Sequence, residues 1–322
     1  MPLTFDLPLE DLYKYTGINP RPEDFDTFWD NALEEMRKTD PDVKLIKSDF
    51  NPGFAECFDL YFTGVRGARI HAKYVKPAVT SPPGPALLQF HGYTMNSGDW
   101  YDKLPYAAAG FHVFSLDCRG QGGKSEDPGG IIGTTMSGHI IRGINDKPEN
   151  LLFRQIFLDT VQLARIAMDM DTVDENRVGA FGGSQGGALT LACAALVPEI
   201  KGLVPRYPFL SDYKRVWEID LSKDAYLELS SYFRTHDPMH LREEEIFTKL
   251  GYIDIQHLAG RIRGKVLMAV GLMDQICPPS TQFAAYNKIK SLKKLAVYPD
   301  YGHETLPGMD DMTFQFFQEL FL

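Results

Sequence analysis

The sequence has little that would tie the protein to an oxidising compartment or to a membrane. Its four cysteines, Cys57, Cys118, Cys193 and Cys277, are widely spaced, and none belongs to a C-x-x-C pair. Residues 1–6 have neither the basic region nor the apolar run of a signal peptide. No uninterrupted stretch reaches the ~18 apolar residues that a membrane-spanning helix needs. We therefore expect a cytoplasmic protein whose cysteines are buried thiols rather than disulfides.

Positive charge is also scarce. Lys and Arg number 33 against 43 Asp and Glu, which gives a formal net charge of −10. Nucleic acids and anionic membranes are bound through clustered Lys and Arg side chains, so neither is expected as a partner. The remaining composition, with 44% hydrophobic and 24% charged residues, is typical of a soluble globular protein.

Cofactor-binding motifs are missing as well. Residues 122–125, Gly-Gly-Lys-Ser, resemble the end of a phosphate-binding loop, but Cys118 stands where that motif needs its first glycine. No G-x-G-x-x-G opens a helix, so a dinucleotide site is not supported. His303 and Glu304 lack the second histidine of H-E-x-x-H, so a catalytic zinc is not supported either. The sequence predicts no cofactor and no metal.

From residue 86 onward, apolar strand-like runs alternate with helix-like segments. The predicted strands are 86–90, 111–116, 178–181, 203–207, 266–270 and 295–298, and the predicted helices are 104–109, 151–170, 188–196 and 281–288. Apolar runs separated by helices predict an α/β fold with a mostly parallel central sheet flanked by helices. We expect the 322 residues to form one domain of this kind with insertions. Such sheets carry their chemistry at the carboxyl ends of their strands.

Residues 1–85 precede this alternation. A helix is predicted over 21–38, because proline and acidic residues fill its first turn and apolar residues recur at helical spacing. Extended runs follow at 43–46, 55–63 and 68–75, with no helix-length pattern between them. They predict antiparallel strands at the starting edge of the sheet.

Two insertions interrupt the alternation. The first insertion, residues 119–148, is rich in glycine around β-like residues 131–132 and 139–141, and we expect it to project as a loop or hairpin. The second insertion, residues 210–260, is largely helical and acidic, and its place between two strands predicts that it lies over the site. For both insertions, a decorative role without function stays open.

The chemistry is predicted at residues 177–187, where an apolar strand, a glycine-rich turn and a helix follow each other. Residues 182–186 read Gly-Gly-Ser-Gln-Gly and fit G-x-S-x-G, the nucleophile-elbow pattern. The turn holds the serine in a strained conformation, so its close neighbours must lack side chains. Ser184 is therefore the predicted nucleophile, the alternative being a glycine-rich turn with an unremarkable serine.

A serine nucleophile needs a base, and the base needs an orienting carboxylate. In this fold the chain order is serine, acid, histidine. His303 lies in a loop just after the last predicted strand, whereas the other histidines lie before that strand, within strands or within the insertions. Asp274 follows the strand before it and is the predicted carboxylate. Asp300 is the alternative, although its position three residues before the histidine does not fit the topology.

Two backbone N–H groups are expected to bind the oxyanion, each stabilising the transition state by roughly 3 kcal/mol. One is the amide of Gln185, directly after the nucleophile, and the other is the amide of Tyr93, after the strand at 86–90. The Tyr93 ring is expected to line the acyl pocket, with plain core packing as the alternative, and His91 is expected to be structural. Phe209 and Ile276 are the further candidates for substrate binding.

Several of these residues together resemble a known family. Arg-Gly-Gln at 119–121, the G-x-S-Q-G at 182–186 and His-Glu at 303–304 occur in that order, and residues 138–143 and 207–210 add to the likeness. The chain is similar over nearly its whole length to the acetyl xylan esterase and cephalosporin C deacetylase group of α/β-hydrolases, carbohydrate esterase family seven.

This resemblance implies removal of acetyl groups from small acetylated sugars, such as xylo-oligosaccharides, and from cephalosporin C. It implies a cytoplasmic homo-hexamer in which the first insertion helps to build the interfaces. Ser184, Asp274 and His303 take the catalytic positions, and Arg119 and Gln121 become structural supports near the site. For Arg119 we expect Asp117 as the ion partner. A peptidase or lipase on the same fold and a non-catalytic binding scaffold are the alternatives.

Overall fold

The apolar runs of the sequence become the strands of one nine-stranded sheet, in the order β1-β2-β3-β5-β4-β6-β7-β8-β9. The computed structural model describes residues 5–128 and 137–322. The strands are β1 (Lys44–Lys47), β2 (Ala55–Thr63), β3 (Arg69–Pro77), β4 (Gly84–Phe90), β5 (His112–Leu116), β6 (Val173–Gly183), β7 (Gly202–Arg206), β8 (Lys265–Gly271) and β9 (Lys293–Tyr298).

Helices cover both faces of this sheet. They are α1 (Leu9–Leu12), α2 (Phe25–Arg37), α3 (Leu104–Ala108), α4 (Leu152–Met168), α5 (Gln185–Leu196), α6 (Tyr213–Glu218), α7 (Leu227–His236), α8 (Glu243–Leu250), α9 (Ile255–Leu258), α10 (Pro279–Lys288) and α11 (Met309–Phe321). The larger apolar core lies beneath α2, α4 and α5. A smaller core on the opposite face lies beneath α3 and α11. In the described ranges, no helix is long and apolar enough to cross a bilayer.

Strand direction divides the sheet into two parts. The first three strands pair antiparallel with each other, and β3 pairs antiparallel with β5. From β5 through β4 to β9 every neighbouring pair is parallel. The predicted α/β fold, with an antiparallel amino-terminal edge, is therefore confirmed. Because parallel strands end at one edge, the segments that follow β4, β6, β8 and β9 meet there.

The structure departs from the predicted elements in two places. Residues 139–141, expected to be strand-like, form turns in which His139 and Ile140 are fully buried. The predicted β-like residues 131–132 lie outside the described residues. The helix α11 was not predicted, and its buried Phe316, Phe317 and Phe321 cover the second face of the sheet. Contacts with distant parts of the chain accompany both elements, since Ile140 packs in the larger core and α11 packs in the smaller one, and a local sequence pattern does not show such contacts.

All four cysteines are free and buried, as predicted. The second insertion contains the helices α6 to α9.

A buried network of charges ties the antiparallel edge to the loop after β5. Nδ1 of His71 lies 2.6 Å from Oδ2 of Asp117, and its Nε2 lies 2.7 Å from Oδ1 of Asp59. Asp117 also accepts hydrogen bonds from the backbone amides of Ser97 and Lys124. Burial alone would raise the pKa of Asp117, but the hydrogen bond from His71 and those from the two amides bring that pKa well below its ordinary value.

This depressed pKa makes stability depend on pH. A carboxylate with a lowered pKa stabilises the fold above its ordinary pKa of about 4, and this stabilisation is lost as the pH falls further. We expect Asp117→Asn to lower the free energy of unfolding at pH 7 by about 2–3 kcal/mol, and the difference from the parent protein to shrink as the pH falls from 4 to 2. Urea unfolding at several pH values measures it. The exposed Asp311→Asn is the control, and a difference that is constant with pH would contradict the prediction.

Candidate active site

Ser184 occupies the sharp turn between β6 and α5. Its φ is 56° and its ψ is −119°, a strained conformation for a residue with a side chain. The turn fits only because its neighbours are glycines: a Cβ at Gly182 or at Gly186 would lie 2.5 or 2.0 Å from the carbonyl oxygen of Phe90. The turn lifts the serine clear of the strand and sets it at the amino-terminal end of a 12-residue helix.

The end of β7 holds this turn in place. The amide of Ser184 donates to the carbonyl oxygen of Arg206 at 3.0 Å, and the amide of Phe209 donates to the carbonyl oxygen of Ser184 at 3.1 Å. Both backbone groups of the serine are therefore fixed by the neighbouring strand and the loop that follows it.

Asp274 and His303 form a hydrogen-bonded pair beside this turn. Oδ2 of Asp274 lies 2.8 Å from Nδ1 of His303. The other carboxylate oxygen accepts from the backbone amides of Ile276 and Cys277 at 2.9 and 2.8 Å. Asp274 is completely buried, and the His303 side chain is 16% exposed. This arrangement places the Nδ1 proton of His303 against the carboxylate and leaves Nε2 as the nitrogen able to accept a proton.

The Cys277 thiol lies among these residues. Its sulfur, the Asp274 carboxylate and a His303 ring nitrogen lie within 4.8 Å of one another, and the Ser184 hydroxyl acts to lower the pKa of the same thiol. Burial, reinforced by the charge of Asp274, raises the pKa of Cys277 well above its ordinary value. Because Nδ1 of His303 is bonded to Asp274, these groups are arranged for proton transfer through the other ring nitrogen.

Tyr207 also borders His303, and sequence reasoning gave it no role. Its ring centroid lies 4.7 Å from that of the imidazole, at an interplanar angle of 59°. A Cβ at Gly183 would lie 3.2 Å from the same tyrosine ring. Tyr207 therefore packs between the serine turn and the histidine. Its position directly after β7 was the signal that could have indicated it.

Gln121 joins the loop that carries Tyr93 to Gln185, the other predicted oxyanion residue. We define the oxyanion loop as residues 91–95, which follow β4. Oε1 of Gln121 accepts from the amide of Thr94 at 2.9 Å, and Nε2 of Gln121 donates to Oε1 of Gln185 at 2.7 Å. Gln185 is fully buried at the start of α5. A support role for Gln121 was predicted, and its contacts fit that role.

The three substrate-binding candidates differ in exposure. Phe209 is fully buried, with its ring centroid 5.5 Å from that of Tyr93 and 4.4 Å from that of Tyr226. Tyr93 and Ile276 are half-buried. Of these three side chains, only those of Tyr93 and Ile276 have surface open to solvent, and Phe209 packs against the Tyr93 ring.

Arg119 has a different partner from the one predicted. Its Nε and Nη2 donate to the two carboxylate oxygens of Asp159 at 2.7 and 2.6 Å, and both side chains are buried. The expected partner, Asp117, is occupied by His71. The prediction was therefore wrong, because it took the acid nearest in sequence, whereas α4 brings Asp159 to the guanidinium from 40 residues away.

Strand order, the strained turn after β6 and the acid and histidine after β8 and β9 place this protein in the α/β-hydrolase fold. The family model for acetyl xylan esterase (AXE1) matches residues 1–320. The chain therefore belongs to the acetyl xylan esterase family, a family of carboxylic ester hydrolases, as its resemblance predicted.

Solved structures and a curated relative agree with this membership. Acetyl xylan esterase 1 from Thermoanaerobacterium sp. JW/SL YS485 is 62% identical, with a TM-score of 0.96 over 99% of this chain and 100% of that one. The acetyl xylan esterase from Paenibacillus sp. R4 is 35% identical, with a TM-score of 0.92 over 98% and 100%. The acetyl esterase Axe7A of Xylanibacter ruminicola is 27% identical over 298 residues, which are 88% of this chain and 64% of that protein.

Proposed function

We propose that this protein is a serine esterase that removes acetyl groups from small acetylated carbohydrates, such as xylo-oligosaccharides. The observation that carries the proposal is the bonded pair of Asp274 and His303 beside the strained Ser184. The Cys277 sulfur lies within 4.8 Å of the Asp274 carboxylate and of a His303 ring nitrogen, and the Ser184 hydroxyl acts on the pKa of the same thiol, which supports the convergence of the three residues. The names of the related esterases support acetyl as the acyl group.

In the proposed first half-reaction, Ser184 attacks the acetyl carbonyl while Nε2 of His303 takes the hydroxyl proton. Asp274 keeps the other ring proton on Nδ1 and stabilises the imidazolium that forms. The backbone amides of Tyr93 and Gln185 bind the oxyanion. His303 then protonates the departing sugar oxygen, which leaves an acetyl ester on Ser184.

In the second half-reaction, water attacks the acetyl-enzyme with His303 as the base. The tetrahedral intermediate uses the same two amides, and its collapse releases acetate and restores the Ser184 hydroxyl. The proposed roles of Arg119 and Gln121 are structural, since their contacts hold α4 and the oxyanion loop rather than a substrate.

Cephalosporin C, a second acetyl ester, is included in the proposed substrate range. The proposal also includes a cytoplasmic homo-hexamer in which the first insertion builds interfaces. Its test is acetate release from a panel of acetylated xylo-oligosaccharides and cephalosporin C, with native mass measured alongside. Release from neither class would reject the deacetylase assignment, and a monomeric mass would reject the hexamer.

Acyl-chain length gives a sharper expectation. A pocket lined by Tyr93 and Ile276, with the buried Phe209 behind the Tyr93 ring, should exclude added methylenes, and each excluded methylene changes specificity by roughly 10-fold or more. Butyrate adds two methylenes to acetate, so we expect kcat/KM for 4-nitrophenyl esters to fall by about 10²-fold or more from acetate to butyrate, and further to octanoate. All these esters release 4-nitrophenol, so a difference in rate reports on the acyl chain and not on the leaving group.

The same assay separates the alternatives. A flat profile from acetate to octanoate would favour a lipase, and comparable cleavage of peptide anilides would favour a peptidase. If an organophosphonate failed to label Ser184, the alternative of a non-catalytic binding scaffold would be favoured over an enzyme.

A further inference from the structure

Glu228 is a buried carboxylate for which no role was predicted. It lies in α7 of the second insertion and is only 7% exposed. Its Oε1 accepts a hydrogen bond from the Tyr93 phenol, and its Oε2 accepts from the amide of Ile140 at 2.6 Å. One carboxylate thus contacts the oxyanion loop and the first insertion together.

The turn at residues 138–141 is shaped to hold this carboxylate. The amide of Ile140 donates to Glu228, and the neighbouring amides of Gly138 and Ile141 act to lower the pKa of the same carboxyl. Gly138 has a φ of 86°, a conformation that favours glycine. Successive amides that converge in this way form an anion-binding concavity.

The phenol of Tyr93 both donates and accepts a hydrogen bond. Its hydroxyl donates to Glu228 and accepts from the amide of His139 at 3.2 Å. The Tyr93 ring meets the His139 ring edge-on at a centroid distance of 5.2 Å. The tip of the ring is therefore held by Glu228 and the 138–141 turn, while Gln121 holds the backbone one residue further on.

A buried carboxylate is a poor way to stabilise a core. Burial raises the pKa of Glu228, although the Tyr93 phenol and the turn amides act against this shift. Apolar side chains in such positions usually give equal or greater stability. An apolar side chain at this position could not accept hydrogen bonds, so it could not orient the Tyr93 phenol and the turn amides together.

We infer that Glu228 is a positioning residue that fixes the Tyr93 ring and oxyanion loop against both insertions, and so sets the depth of the acyl pocket. This rests on the proposed esterase function. Loss of the contact would let the ring move, which lowers turnover of acetate and relaxes the exclusion of longer acyl groups. A displacement of about 1 Å at a reacting centre can lower a rate by as much as ~10²-fold.

The test compares Glu228→Gln, Tyr93→Phe and the double variant with 4-nitrophenyl acetate and butyrate. The first substitution turns an N–H₂ group toward the phenol or the turn amides, and the second removes only the hydroxyl. We expect kcat for acetate, per active site titrated, to fall about 10-fold in each single variant, with KM changed less than about 3-fold. The acetate-to-butyrate ratio should fall about 5-fold, and the double variant should be within about 2-fold of the worse single one.

Glu244→Gln is the matched control, since Glu244 is exposed on α8 of the same insertion. This substitution should leave kcat for acetate and the acetate-to-butyrate ratio unchanged. An unchanged kcat per site and unchanged selectivity in Glu228→Gln, with only a lower melting temperature, would overturn the inference. So would effects that multiply in the double variant. If Glu228→Gln does not fold, Tyr93→Phe decides, and unaltered kcat and selectivity there reject the role of Glu228.

Organophosphonate labelling of the parent protein separates the two proposals. An unlabelled Ser184 would reject the esterase function itself. A labelled Ser184 with unaltered variants would reject the role of Glu228 alone.

Discussion

Ser184→Ala should lower kcat for an aryl acetate at least ~10³-fold while the protein stays folded. The substitution removes only the attacking oxygen, so the amides of Tyr93 and Gln185, which we propose as the oxyanion donors, would still polarise the carbonyl for water. Residual catalysis from these amides and from binding is the reason that the loss is limited. Steady-state kinetics with 4-nitrophenyl acetate measures the change.

Two controls make this result decisive. Thermal unfolding should be nearly unchanged, since alanine fills the same turn without a new contact. Ser231→Ala, at an exposed serine of α7, should retain full turnover. Turnover within a few-fold of normal in Ser184→Ala would end the assignment of Ser184 as the nucleophile.

Arg119→Met should lower the free energy of unfolding by roughly 3–5 kcal/mol. The substitution leaves the fully buried Asp159 without its partner. Burial already raises the pKa of Asp159, and the charge and hydrogen bonds of Arg119 oppose that shift. Without them the carboxyl must either take up a proton or draw water into the core. Urea unfolding at pH 7 measures the loss.

An exposed pair provides the matched comparison. Arg165 and Glu199 also form a two-pronged ion pair, but their side chains are 38% and 49% exposed. Arg165→Met should therefore change stability by no more than about 1 kcal/mol. Arg119→Met with Asp159→Leu should recover most of the lost stability, because no buried charge remains. An equal loss of unfolding free energy in Arg119→Met and Arg165→Met would contradict the prediction that burial makes the Arg119 pair more important for stability.

Much of the sheet could be predicted because its signals are local. Each parallel strand is an apolar run, and Ser184, Asp274 and His303 each follow such a run. Since parallel strands end at one edge, chain order alone indicated which side chains could meet. The glycines of the turn after β6 reflect steric contacts within a few residues, so they too could be read from the sequence.

Contacts between distant segments could not be predicted in this way. Arg119 could have formed its ion pair with either Asp117 or Asp159, and only the packing of α4 decides between the two acids. Glu228 lies 135 residues from Tyr93, and nothing in the sequence around it indicates a buried carboxylate. The turn that contains Ile140 contacts this same distant partner.

The bonds of Glu228 have a consequence for redesign of the substrate range. A graft that replaces one insertion with that of a related esterase would remove either Glu228 or the turn that contacts both Glu228 and the Tyr93 hydroxyl, so the tyrosine would lose part of its support either way. Segments 138–141 and α7 should therefore be exchanged together, as one transferable cassette.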